Sequence, residues 1–353
     1  MKKKKLAIVT YSLVAGGTEK ITAFIANHIS SDVYDITLIL FTTKNQVWDI
    51  KDGISIIDLN RINSSKGIIK LYCTLVKLKP DIIFSTLTVT NVIVSLIKPF
   101  FFFDCKFILR ESTILSVNNE RLKNKFLYNG IIKLIYPSYD KIIAQSDDMI
   151  IDLIKNYKVP RKKIVKINNP ITNSRGITTK ILNCDHPTFI TIGNLRPEKG
   201  YDRMIEVISK LKFDFTYYII GDGEMRRSVE DAIKRYNLSD KIIITGRISN
   251  THDYLKKADI YLQASYYEGF PNALLEAIEC GLPAIAYHSP GGTSEIIIDG
   301  ENGFLIRDGD DAAFIEKINQ IIQHPLEKEK IRGSVIKRFS PELFINKIHE
   351  ALQ

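Results

Sequence analysis

The chain is poor in the features that mark several large protein classes. Its four cysteines, Cys73, Cys105, Cys184 and Cys280, stand far apart with no CxxC pair, so neither a disulfide framework nor a zinc site is signalled and a reducing cytoplasm fits. Its six histidines form no H-E-x-x-H or comparable spacing, and no catalytic metal is expected. The longest apolar stretch, Ile93 to Phe103, is broken by Lys98 and Pro99 and falls short of the roughly 20 residues that span a bilayer. Lys2 to Lys5 have the charge of a signal-peptide start, but only about five apolar residues follow, fewer than a signal needs. They read as a lysine-rich tail entering a first buried strand. No G-x-G-x-x-G follows that strand, and the next runs into Thr42 and Thr43 instead of an acidic residue, which excludes the dinucleotide fingerprint and with it a nicotinamide cofactor. No RNP, KH or zinc-finger pattern is present, and the aromatic residues do not interleave with the basic ones. Both observations argue against a nucleic-acid partner.

What is present is the composition of a folded protein, 45% hydrophobic and 25% charged over 353 residues, enough for two α/β domains of roughly 170 residues each. Short β-branched runs alternate with helical stretches, as a parallel sheet with crossover helices requires. Strands are expected at Leu6–Tyr11, Asp35–Phe41, Ile54–Leu59, Asp81–Ser85, Lys106–Leu109, Lys141–Ala144 and Lys163–Ile167. A second series follows at Thr188–Ile192, Thr216–Ile220, Lys241–Thr245, Ile260–Gln263, Pro283–Ala286 and Gly303–Ile306. The expected division is a Rossmann-like domain over 1–168, a linker over 169–185, a second Rossmann-like domain over 186–338, and a C-terminal helix over 339–353 packing back on the first. Ligands of open α/β sheets bind beyond the carboxyl ends of the strands, so the loops there, and the cleft between two such domains, are where chemistry is sought.

The segment Glu268-Gly269-Phe270-Pro271-Asn272-Ala273-Leu274-Leu275-Glu276 follows one such strand. Gly269 and Pro271 make a tight turn, Asn272 can cap a helix, and Glu276 falls one turn inside it, so both carboxylates can face one cleft. Carboxylates accept from sugar and ribose hydroxyls, while free amides at a helix start favour phosphate. The bland alternative is a helix with solvated glutamates.

The stretch Glu268–Pro283 resembles the Glu-x7-Glu signature of retaining glycosyltransferases of family 4, which have the GT-B fold of two facing Rossmann-like doubly wound domains. Four further stretches resemble that family in the expected order: Gly16 to Lys20, Gly193 to Gly200, Gly221 to Glu224, and Gly291 to Glu295 with Asn302 and Gly303 beyond. The resemblance implies transfer of a sugar from a nucleoside diphosphate sugar, UDP favoured, to a glycan or lipid-linked acceptor in bacterial surface polysaccharide synthesis. It implies retention and no metal. Arg196 and Lys199 would neutralise the departing diphosphate, Glu268 would hold donor-sugar hydroxyls and Glu276 the ribose. The family usually has Arg directly after the first Gly of the Gly193 loop, where this chain has Asn194; Arg196 is expected to supply that charge. Gly16 and Gly17 let the backbone approach a phosphate or sugar closely. Gly221 and Gly223 read as a turn with some donor contact. Arg247 faces the base or phosphates, or makes a structural salt bridge. Glu295 is a candidate for ordering the Gly291-Gly292 loop, and Asp308-Gly309-Asp310 reads as turn and N-cap residues rather than a metal-binding DxD. The acceptor-side histidine of many family members is absent from Phe84–Asn91. Arg110 and Glu111, in a Ser-Glu-Arg-like setting, take its place as acceptor-side candidates, with a buried ion pair as the alternative.

Charge is unevenly placed. Residues 1–170 hold 26 Lys and Arg against 14 Asp and Glu, and residues 171–353 hold 23 against 26. Within the basic half, Asn118–Tyr136 places Leu122, Phe126, Leu127, Ile131, Leu134 and Ile135 near helical spacing among Arg121, Lys123, Lys125 and Lys133, close to the phenylalanine run 100–103. Such a helix suits peripheral contact with the anionic inner face of the plasma membrane; the alternative is a core-packed helix with a solvated basic face. Two rival functions share parts of this pattern, a nucleotide-sugar epimerase of the same architecture and a basic nucleic-acid-binding protein.

Overall fold

A computed structural model describes residues 2–60, 65–120, 122–172, 176–178, 180 and 182–353. The chain forms two compact units, Met1–Thr172 with Pro341–Gln353, and Asn173–Ser340. The first contains strands β1 (Lys4–Thr10), β2 (Tyr34–Leu40), β3 (Ser55–Asp58), β4 (Ile82–Thr86), β5 (Lys106–Arg110), β6 (Lys141–Ala144) and β7 (Ile164–Lys166). They form one parallel sheet in the order β3-β2-β1-β4-β5-β6-β7. The second contains β8 (Thr188–Ile192), β9 (Thr216–Ile220), β10 (Ile242–Gly246), β11 (Ile260–Gln263), β12 (Ala284–Tyr287) and β13 (Gly303–Ile306), parallel in the order β10-β9-β8-β11-β12-β13. Two doubly wound Rossmann-like sheets are thus present, with every expected strand found and its ends within two residues of expectation.

The central strands have helices on both faces, so their inner stretches are apolar at successive positions. In β1, Leu6 and Ile8 enter one core while Ala7 and Val9 enter the other, all with 1% exposure or less. This is the two-residue alternation of an extended chain. The C-terminal helix Pro341–Leu352 belongs to the first unit, where Phe344, Ile348, Ala351 and Leu352 pack with Leu6, Ile8 and Phe24. Their spacing of four, three and one residues makes a single helical stripe.

Residues 169–172 belong to the first unit, and the described residues in the remainder of the expected linker belong to the second. There Thr178 donates its backbone N–H to Cys280 O at 2.9 Å, and Lys180 pairs with Asp259 at 2.6 Å. Asn173, Ser174, Arg175, Thr179 and Ile181 of that stretch lie outside the described residues.

Candidate active site

In the second unit the strand order reverses between β8 and β11, which brings the loop after each strand beside the other at the carboxyl edge. Tyr266 N donates to Glu198 O at 2.8 Å across the two loops. Gly200 closes the first at φ +63, and a Cβ there would lie 2.1 Å from Ala264 O, so only glycine permits the approach. The resulting turn Pro197–Lys199 aims the Lys199 ammonium at Glu268, with Nζ 2.7 Å from Oε1 and 2.9 Å from Oε2. Ser265 Oγ donates to the same Oε1 at 2.6 Å. A third loop supports this pair from the other side. Glu268 N donates to Pro290 O at 2.9 Å, and Gly291, at φ +122, leaves room for Glu268 O, which a Cβ would meet at 2.3 Å. Gly292 lies against the Phe270 ring and donates its N–H to Gly269 O at 3.1 Å.

One organising residue escapes the sequence reading. Arg203, on the helix Tyr201–Ile208, donates from Nε to Ala264 O at 2.6 Å and from Nη2 to Ser265 O at 2.8 Å. Its Nη1 reaches Asp308 at 2.6 Å, and its guanidinium lies 4.0 Å from the Tyr266 ring centroid and 4.5 Å from that of Tyr287. Arg203 therefore pins the backbone that leads into Glu268. Asp308 is used in that pin, and Asp310 caps the helix Asp311–Gln323 by accepting from Ala313 N at 3.0 Å.

The helix Asn272–Glu279 departs from expectation at its start. Its N-cap is Pro271 and no side chain caps it, so Asn272 is the first helical residue and not the cap. The opening amides are left to favour an anion. Glu276 is half-buried one turn along. Burial pushes the Tyr261 phenol up, and the carboxylates of Glu268 and Glu276 push it further. Both acids thus lie near one phenol, whose hydroxyl donates to Ile192 O at 3.5 Å at the end of β8.

The remaining donor-side candidates surround this centre unequally. A Cβ on Gly221 would lie 1.9 Å from Gly193 O, and one on Gly223 2.4 Å from Leu195 O. These glycines let two backbones pack, holding the loop that carries Asn194, Arg196 and Lys199. Asn194 O accepts from Arg196 N at 2.9 Å. Arg196 is exposed, with Nη1 4.0 Å from Glu198, the outer limit of an ion pair and worth little. Lys199, and not Arg196, is the cation in contact with Glu268. Arg247 follows β10, exposed, and forms no ion pair with the described residues.

In the first unit, Gly16 is the N-cap of the helix Gly17–His28, and a Cβ on it would lie 2.2 Å from Glu19 Oε2. On that side Gly16 makes room for the Glu19 carboxylate of the same helix. Arg110 and Glu111 are both fully buried, yet no ion pair joins them among the described residues. Successive residues of an extended chain face opposite ways, which goes against the buried ion pair that stood as the alternative to the acceptor-side reading. Glu111 accepts from Thr88 Oγ1, Ser112 N and Tyr136 Oη, each at 2.8 Å. Burial raises its pKa, and these hydrogen bonds oppose the rise. Burial lowers the Arg110 pKa to about 9, against the pull of Glu111.

The expected single helix over 118–136 is two, Leu115–Asn119 and Lys125–Ile135; Arg121 lies outside the described residues. Ile132 is buried, but Phe126, Leu127 and Leu134 are 84%, 66% and 80% exposed, and Phe102 nearby in sequence is 93% exposed. Most of the apolar stripe therefore faces away from the core. Among the described residues no helix is long and apolar enough to cross a membrane.

Two parallel Rossmann-like sheets, the second carrying a lysine–glutamate pair at its switch point, define the GT-B class of glycosyltransferase fold. Solved structures agree: sucrose-phosphate synthase from Thermosynechococcus elongatus superposes with a TM-score of 0.85 at 17% identity, covering 99% of this chain and 98% of that one. The Anabaena protein HepE, solved with UDP-glucose, gives 0.80 at 18% identity over 99% of each chain. Residues 178–351 match the family described as Glycosyl transferases group 1, so the chain carries a glycosyltransferase domain of that group. A similar protein of Campylobacter jejuni, N-acetylgalactosamine-N,N'-diacetylbacillosaminyl-diphospho-undecaprenol 4-alpha-N-acetylgalactosaminyltransferase, is 27% identical over 346 residues, 93% of this chain and 92% of its own. The lipopolysaccharide 1,6-galactosyltransferase of Escherichia coli is 27% identical over 56% of this chain and 57% of its own.

Proposed function

We propose that this glycosyltransferase is a retaining enzyme of family 4 that moves a sugar from a nucleoside diphosphate sugar, UDP favoured, to a hydroxyl of a lipid-linked sugar or growing polysaccharide, without a metal or organic cofactor. The observation that carries the reading is the Lys199–Glu268 contact at the switch point, 2.7 Å long and beside an uncapped helix start. Lys199, with Arg196 beside it on the same loop, neutralises the diphosphate; Glu268 accepts from donor-sugar hydroxyls; Glu276 accepts from the ribose. Asn194, Gly221, Gly223, Arg247 and the turn Gly269–Pro271 complete the donor surface. In the reaction the acceptor oxygen bonds to the anomeric carbon on the face from which the diphosphate oxygen departs with the bonding electron pair. The acceptor proton passes to that phosphate oxygen, so no protein base is required.

The relatives named for lipopolysaccharide and diphospho-undecaprenol acceptors support an acceptor held at a membrane. The exposed Phe126, Leu127 and Leu134 beside Lys125 and Lys133 support peripheral contact of the first unit with the inner face of the plasma membrane from the cytoplasm. Arg110 and Glu111 are assigned to the acceptor side. A thermal-shift panel of UDP-, GDP-, ADP- and TDP-sugars tests the donor assignment: a ligand at a hundred times its Kd adds about 2.7 kcal/mol to stability. Absence of any nucleotide-dependent shift would refute it. Turnover of the donor to an epimer without acceptor would favour the epimerase.

A further inference from the structure

The switch point of the first unit holds polar groups that the donor chemistry does not use. β1, β4 and β5 are neighbours that end on Thr10, Thr86 and Arg110. Val9 pairs with Ser85, and Thr86 with Arg110, so the three terminal residues form one row across the carboxyl edge. Residues in register on parallel strands share a face. Thr10 and Arg110 have no exposed surface. Arg110 Nη2 donates to Asn169 Oδ1, but Nε and Nη1 find no acceptor, and Thr10 Oγ1 finds no partner. Thr86 Oγ1 is engaged with Thr22 Oγ1 at 3.0 Å.

An arginine stays charged in a protein, and a buried charge is normally paired. Among the described residues no carboxylate lies within ion-pair distance of this one. Glu111 faces the other way and is already met by three donors at 2.8 Å. The two unmet N–H directions and the hydroxyl call for an anion whose acceptors point several ways from one centre. A phosphoryl group has that shape, whereas a carboxylate accepts in one plane. The row also stands where open α/β sheets bind ligands.

We infer that the carboxyl edge of β1, β4 and β5 is a phosphoryl-oxyanion subsite in which Arg110 supplies the charge and Thr10 a hydroxyl. The inference rests on the first unit alone, independent of the Lys199–Glu268 reading. Two sources carry this chemistry, the diphosphate of a lipid-linked acceptor and the diphosphate of the donor. Because the row is covered, an anion enters only when its cover is displaced, and binding is read after equilibration.

The test titrates inorganic pyrophosphate, UDP and a short-chain polyprenyl diphosphate sugar, at constant ionic strength, into the full chain and its Arg110→Met, Thr10→Val and Lys199→Ala variants. Pyrophosphate affinity, read in the Lys199→Ala background so that the cations of the second unit contribute less, is expected to fall by about tenfold or more on adding Arg110→Met and by severalfold on adding Thr10→Val. Ligand-free Arg110→Met is expected to unfold at or above the wild-type temperature, because an unpaired buried charge has gone. An acceptor source shows as loss of the polyprenyl ligand but not of UDP in Arg110→Met, and a donor source as the reverse. No saturable pyrophosphate binding to the wild type, or unchanged affinity in Thr10→Val and Arg110→Met, overturns the inference. The near-isosteric Thr10→Val carries the test if Arg110→Met does not fold. Failure of UDP alone to bind the wild type counts against the donor reading instead.

Discussion

The pair at the second switch point makes a prediction in which stability and activity part company. Lys199 Nζ sits 2.7 and 2.9 Å from the two oxygens of Glu268, with side-chain exposures of 25% and 10%. Exposed pairs contribute at most about 1 kcal/mol, while stripping one partner from a buried pair costs about 3–5 kcal/mol. A glutamate this buried beside a lysine a quarter exposed falls between, so Lys199→Met should cost about 2 kcal/mol. For a unit of this size that is a fall of about 4–8 °C in Tm. Glu268→Gln in the Lys199→Met background removes the stranded charge and should return about half of the loss or more. Ser265 Oγ, which donates to the carboxylate, can donate equally to the amide carbonyl that replaces it, so the neutral variant keeps one hydrogen bond. Turnover should show no such rescue. If Lys199 stabilises the departing diphosphate and Glu268 holds the sugar, each single change lowers kcat by about a hundredfold or more, and the double variant stays inactive. The assays are thermal unfolding and nucleoside diphosphate release from the donor found in the sugar-nucleotide panel. Two results refute the reasoning: a double variant less stable than Lys199→Met, or near-wild-type turnover in either single variant.

Glu111 should report through pH. Its pKa is raised in the folded chain, so the fold holds this proton more tightly than the unfolded chain does; that contribution favours folding at low pH and is lost as pH rises through the raised value. Glu111→Gln does not titrate, and urea unfolding from about pH 4, near the unfolded carboxylate value, up to pH 8 should show the variant gaining stability relative to wild type as pH rises; a pH-independent difference contradicts this. Burial pushes the Cys105 and Cys280 thiols up to about 12, whereas Cys73 and Cys184 are exposed; Ellman's reagent at pH 8 should titrate two thiols quickly and the other two only in denaturant. Phe126→Ser with Leu134→Ser should reduce sedimentation with phosphatidylglycerol vesicles by about tenfold or more at low salt, with unchanged circular dichroism. Equal binding of the double variant would remove that helix from the membrane proposal.

How much of this is legible in the sequence follows from the range over which each signal acts. Buried parallel strands announce themselves locally, because a run such as Leu6-Ala7-Ile8-Val9 must be apolar at every position when both faces are covered. Lys199 and Glu268 are legible for a related reason: each directly follows a recognisable strand, and strand order alone brings the two loops together. The cap expected at Asn272 is displaced because the Pro271 turn before it starts the helix one residue early. Arg110 and Glu111 carry two readings in the sequence, acceptor-side groups or a buried ion pair, and adjacency cannot choose between them because an extended backbone turns neighbours onto opposite faces.

Arg203 is invisible in the sequence for a deeper reason. Its hydrogen-bond partners Ala264, Ser265 and Asp308 lie 61, 62 and 105 residues away, so no local pattern encodes them. Yet this side chain fixes the carbonyls from which the chain turns toward Glu268. The carboxylate's position is therefore set by a tertiary clamp joining the loops after β8, β11 and β13, and the short motif around Glu268 supplies the carboxylate without the means of aiming it. A change at Asp308, which pairs with Arg203 and with neither Lys199 nor Glu268, should loosen Arg203 and reach the Glu268 carboxylate through two backbone carbonyls.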